Sequence, residues 1–229
     1  VWISWADDCL VAGKKEGVIV AKNQMTARFD CEELGEVDEY VGCKVERNYE
    51  ENSIKLTQPV MLQSFEDEFK LPNGPAPNTP ATPGSALVKA DPEDNIPADE
   101  LFKYRSGVGK LLHMMRWSRP EILNAVRELS RYMPGASLAH VKAMHRTMKY
   151  CVGSPNRGLL LKPIGEWDGD PSHEFVNTGR SDSDYAKDTN TRRSVRGTLT
   201  FLNGSLIHTR RYTQMSLTLA VSDAHTGAA

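Results

Sequence analysis

Val1-Trp2-Ile3-Ser4-Trp5-Ala6-Asp7-Asp8-Cys9-Leu10-Val11-Ala12-Gly13 is the stretch on which the fold turns. Val1, Ile3 and Trp5 alternate, and Cys9 to Ala12 is a second apolar run closed by Gly13. That pattern predicts a β-hairpin with an acidic tip, with Ile3 and Val11 sharing one apolar face. Two neighbouring carboxylates repel each other and bring no apolar area to bury. An ordinary solvated turn is one reading of Asp7 and Asp8. Between strands this apolar, the other reading is a Mg²⁺ ion, which needs hard oxygen ligands and bridges to phosphates.

Working outward, residues 1–102 hold 9 Lys and Arg against 20 Asp and Glu, whereas residues 103–157 hold 11 against 2. The net charge of −2 therefore conceals an acidic segment beside a basic one, as a nucleic-acid cleft with a metal centre requires. The bland alternative is a helical pair with solvated basic faces. With 39% apolar residues in 229, the chain can bury a core. No run of about eighteen apolar residues predicts a membrane span, and no leader pattern precedes Trp2. The four cysteines, Cys9, Cys31, Cys43 and Cys151, have no C-x-x-C spacing, which argues against a zinc site or disulfide framework and suits a reducing compartment.

The expected class is α+β. Residues 1–70 mix short strands and helices: a weak helical signal over Lys14–Phe29, paired strands at Tyr40–Val45 and Ser53–Leu56, and a helix over Pro59–Phe69. Residues 71–98, rich in Pro, Gly, Ala, Thr and Asn, are expected to be a surface linker unable to bury enough to order itself. Residues 99–157 read as helical. Ser118-Arg119-Pro120-Glu121 is expected to cap a helix whose stripe runs Ile122, Ala125, Val126, Leu129 and Met133 and stops at Pro134-Gly135. A second helix follows Ser137, with Leu138, Val141, Met144, Met148 and Cys151 inward. Arg127 and Arg131, and Lys142, Arg146 and Lys149, are then expected on outward faces, where with Arg105 and Lys110 they are candidates for gripping phosphates. Residues 158–229 start a β unit in which Thr198–Leu202 and Ser205–His208 join through Asn203-Gly204. The histidines form no metal-site spacing and read as packing or surface residues, and Trp117 and Tyr132 read as core rather than base-stacking residues.

Trp5-Ala6-Asp7-Asp8 resembles the Tyr-x-Asp-Asp box of reverse transcriptases, and the segments downstream of it keep the order of copia-type retrotransposon polyproteins. Leu34-Gly35-Glu36-Val37-Asp38-Glu39-Tyr40-Val41-Gly42, Tyr104-Arg105-Ser106-Gly107-Val108-Gly109-Lys110-Leu111-Leu112 and Arg119-Pro120-Glu121-Ile122 carry the resemblance. So do Ser181-Asp182-Ser183-Asp184-Tyr185-Ala186 and Arg192-Arg193-Ser194-Val195-Arg196-Gly197. It implies the end of a polymerase palm (1–70), thumb and connection helices (99–157), and the start of a ribonuclease H-like domain (158–229).

The resemblance further implies RNA-directed DNA synthesis with cleavage of the RNA strand. It makes Asp7, Asp8 and Asp182 catalytic and Mg²⁺-binding, with a primer-template duplex and deoxynucleoside triphosphates as partners of the parent protein. It places that parent inside the cell, in a cytoplasmic virus-like particle or the nucleus. Trp5 and Ala6 depart from the family's box. The family's further palm aspartate lies upstream of the box, and His225 stands where the family has a metal-binding glutamate. A neutral imidazole is a poor Mg²⁺ ligand. The expectation is therefore an incomplete metal site in both halves and no catalysis by these 229 residues alone, with a non-catalytic nucleic-acid-binding remnant or a pseudogene product as the alternatives.

Overall fold

A computed structural model describes residues 1–5, 8–165, 172–184 and 191–214. It is a mixed structure of α-helices and three antiparallel sheets, in keeping with the α+β expectation. Strands β1 (Trp2–Trp5) and β2 (Asp8–Val11) form a hairpin, followed by helix α1 (Lys15–Thr26), which buries no residue. Strands β3 (Glu39–Tyr40), β4 (Cys43–Asn48) and β5 (Ser53–Thr57) make a meander. Asn52 takes a left-handed φ of 48° in the β4–β5 turn, a conformation asparagine tolerates better than most residues.

The core is helical. Helix α2 (Pro59–Glu68) begins with proline in its first turn, where the missing N–H costs nothing. It packs against α3 (Ala98–Trp117) and α5 (Leu138–Val152), and α4 (Leu123–Ser130) packs against the same two helices. Phe65, Val108, Leu111, Ile122, Val126 and Met148 are buried at their centre. Full burial of each such side chain contributes about 1.5–3 kcal/mol. Gly107 sets the approach of the helices. A Cβ there would lie 2.6 Å from Met144 Sδ and 2.8 Å from Phe69 Cε1.

The expected cap at Ser118 is a correction. Pro120–Ile122 is a 3₁₀ turn with no side-chain cap, and Ser118 is buried, donating instead to Gln58 Oε1 at 2.7 Å. The capping box belongs to α5: the Ser137 side chain and N–H both engage His140, whose Nδ1 accepts the N–H at 3.0 Å. Sequence spacing names candidate caps, but the packing of Gln58 against the end of α3 decides which serine turns inward.

The Pro-rich segment also departs from the expectation. It holds only one short 3₁₀ turn, Pro92–Asp94, yet it is strapped onto the helices. Lys149 Nζ donates to Pro72 O at 2.7 Å, Thr147 Oγ1 to Pro80 O at 3.1 Å and Tyr132 Oη to Leu87 O at 2.6 Å. Ile96 is buried and pairs with Ala136. Proline composition removes regular structure without preventing a segment from docking on a finished surface.

After α5 the chain returns to the sheet of β3, β4 and β5. Strand β6 (Leu159–Leu161), at the start of the block expected from residue 158, pairs with β5. Strands β7 (Asn177–Asp184), β8 (Val195–Leu202) and β9 (Ser205–Thr213) then form a separate meander. Asn203 and Gly204 turn between β8 and β9 with φ of 45° and 80°, the positive pair that a two-residue hairpin demands.

Candidate functional site

The register of the first hairpin pairs Trp2 with Val11, Ile3 with Leu10, Ser4 with Cys9 and Trp5 with Asp8. Only Ala6 and Asp7 remain between the strands, and both lie outside the described residues. Asp8 therefore opens β2 directly across from Trp5, with an exposed side chain. Because side chains alternate along a strand, Asp8 shares a face with Ile3 and Leu10. Ile3 and Val11 fall on opposite faces, which corrects the expectation that they share one. A one-residue difference in register is enough to do this.

Asp182 lies in β7, exposed, directly across from Gly197 of β8, which in turn faces Arg211 of β9. Strand β7 continues through Asp184, so Asp182 and Asp184 share a face. Arg211 reaches across the lane left open by Gly197, and its Nη2 stands 3.4 Å from Asp184 Oδ2. His225 lies outside the described residues. Asp8 and Asp182 offer the hard oxygen atoms that Mg²⁺ prefers. Among the described residues no three potential ligands gather, so the donors fit in kind and fall short in number.

The basic residues are less free than an outward helical face implies. Arg105 Nε donates to Met133 O at 2.7 Å, and Lys110 Nζ sits 2.5 Å from Glu68. Arg127 donates to Glu128 at 2.5 Å and also to Thr213 of β9, and only 14% of its side chain is exposed. Arg131 bonds the other oxygen of Glu128 at 3.1 Å, Arg146 Nη2 donates to Thr79, and Lys149 holds Pro72. Lys142 is exposed on α5. Helical spacing placed these side chains away from the stripe. It carried no information about the strap and the β7–β9 sheet, which cover that side.

Sequence reading missed the role of Arg119. It is 1% exposed and joins the end of α3 to the end of α5. Nε donates to Glu121 at 2.6 Å, Nη2 to Ser154 Oγ at 2.8 Å, and the guanidinium lies 5.4 Å from the Tyr150 ring centre. No local sequence signal marks a buried arginine that joins Glu121 nearby to Tyr150 and Ser154, more than thirty residues away. The histidines read as packing residues are so placed: His140 caps α5, and His113 bonds Gln58 at 2.8 Å. Tyr132 is buried.

No family model matches the chain. No solved structure matches it. Over an alignment of 231 positions covering 98% of this chain, it is 25% identical to the retrovirus-related Pol polyprotein from transposon TNT 1-94 of Nicotiana tabacum. It is 24% identical to the retrovirus-related Pol polyprotein from transposon RE1 of Arabidopsis thaliana over 199 residues, 86% of this chain. It spans only 16% and 13% of the lengths of those two relatives. A third similarity, 30% over 120 residues, covers 52% of this chain and 79% of the secreted RxLR effector protein 161 of Plasmopara viticola.

A mixed helix and sheet structure matched along nearly its whole length to retroelement proteins defines a segment of a transposon polyprotein. Along most of its length the chain is similar to copia-type retrotransposon Pol polyproteins.

Proposed function

We propose that the chain is the stretch of an RNA-directed DNA polymerase with ribonuclease H that runs from the end of the palm, through thumb and connection helices, into the start of the ribonuclease H domain. The register of β1 against β2 carries this reading, because it brings Asp8 opposite Trp5 at the end of an antiparallel hairpin. Asp7 and Asp8 would hold Mg²⁺ in the polymerase half and Asp182 in the ribonuclease H half. Mg²⁺ held there would supply activation of a primer hydroxyl or a water and neutralisation of charge on the leaving group. The antiparallel pairing would fix Asp8 on the hairpin and present it to solvent, where deoxynucleoside triphosphate phosphates would arrive.

The cations of α3, α4 and α5 would grip the backbone of a primer-template duplex, positioning it without reading its sequence. Among the described residues no three potential ligands gather, and a neutral imidazole such as that of His225 is a poor Mg²⁺ ligand. The 229-residue polypeptide is therefore read as binding a duplex without polymerising or cleaving.

The test is binding of the 229-residue chain to an RNA–DNA primer-template across a salt series, with nucleotide incorporation and RNA cleavage assayed in Mg²⁺. Log affinity falls linearly with log salt, with a slope of about −0.9 per phosphate neutralised. The replacement of Arg127, Arg131, Lys142 and Arg146 by Ala flattens that slope. An unchanged slope removes these residues from the interface. Cleavage abolished by Asp182→Asn overturns the reading of an incomplete site.

A further inference from the structure

Between the strap, α4, α5 and the β7–β9 sheet lies a cavity of about 720 Å³. Leu87, Ala125, Ala143 and Val195 give it apolar walls. Its charges do not balance. Glu128 is answered by Arg127 and Arg131, and Asp184 by Arg211. Lys142 and Arg146 remain as the surplus, one helical turn apart on α5, where like charges repel. Arg146 Nη2 bonds Thr79 of the strap, while its Nε is buried and donates to nothing among the described residues. A buried donor without an acceptor is costly, and a charged one more so. An anion in this cavity would answer the surplus, relieve the repulsion and accept from Arg146 Nε together.

We propose that the cavity binds a phosphate monoester with a compact apolar body. A phosphate monoester carries a charge of about −1.5 to −2 at neutral pH, which matches two uncompensated cations, and its oxygens suit a guanidinium. The apolar walls take the body of the ligand, as in most small-molecule sites. This site lies apart from Asp8 and does not depend on the polymerase reading. Both cations line the recess beneath the strap.

Phenyl phosphate titrated calorimetrically into the 229-residue chain tests it. The expected result is saturable one-to-one binding, with inorganic phosphate and benzoate each about tenfold or more weaker, because one lacks the body and the other the second charge. Arg146→Gln and Lys142→Gln each weaken phenyl phosphate by about tenfold. Ala139→Trp, at an exposed position on the rim, blocks binding while every cation is kept. Lys142 is exposed, so its variant keeps the test valid if Arg146→Gln loosens the strap. Absence of saturation at millimolar phenyl phosphate overturns the proposal, as does equal affinity in both cation variants. Equal affinity for inorganic phosphate overturns the apolar part.

Discussion

A Cβ on Gly158 would lie 2.3 Å from the carbonyl oxygen of Leu56, so only glycine lets the chain leaving α5 pass against β5. The obstructing atom is backbone, which cannot swing aside as a side chain can. Gly158→Ala is expected to destabilise the protein by about 2–3 kcal/mol through overpacking, read as a lowered urea midpoint at unchanged slope. Gly109 is the internal control. It lies in α3 with open space around its Cα, so Gly109→Ala should stabilise by about 0.5–1 kcal/mol. A tolerated Gly158→Ala would disprove the close approach of β6 to β5.

Removal of the Arg119 side chain takes a charged donor from the carbonyls of Cys151 and Ser154, which keep the backbone N–H groups of Ser154 and Arg157, and from Ser154 Oγ. Arg119→Met is expected to cost about 2–3 kcal/mol by thermal or urea unfolding, since these acceptors lose a charge-assisted partner. Arg119→Lys should recover little, because an ammonium cannot reproduce a planar fork bonded along two directions and stacked on Tyr150. Full rescue by lysine would mean that charge alone matters at this position.

His140 gives the chain a pH dependence. Its Nδ1 accepts from Ser137 in the α5 capping box, and burial holds its pKa below the usual 6.5. The unfolded chain therefore binds the proton more readily than the folded one. The stabilisation is fully present above about pH 6.5 and is lost as pH falls through the lower folded value. His145 is shifted the same way by burial and adds to the effect. Urea midpoints measured from pH 7.5 down to pH 5 should fall, and His140→Gln, which keeps a capping acceptor, should make that fall shallower. A pH series indifferent to His140→Gln would remove the histidine from this role.

The strap should be separable from the core. Thr147→Val deletes the donor to Pro80 and Tyr132→Phe the donor to Leu87, while both keep most of the buried surface. The double variant is expected to speed limited proteolysis within residues 72–90 and amide exchange there, with a smaller change in global unfolding. Unchanged cleavage would show that the strap is held by other contacts.

Local physics made much of this molecule legible from its residues alone. The Asn203-Gly204 turn, the proline opening α2 and the stripe of α4 each follow from backbone preference or helical period, which act over a few residues. The alternation around Asp7 and Asp8 announced the hairpin in the same way, and the collinear motifs announced the family. Tertiary structure alone decided which side of that hairpin holds Val11, because register depends on pairing rather than on pattern. It also decided that Ser118 turns inward while Ser137 caps, and that Arg119 is buried. The basic side chains of α4 and α5 meet the strap and the last sheet for the same reason. Those outcomes rest on partners far away in the sequence, brought close only when the helices pack and the chain returns through β6.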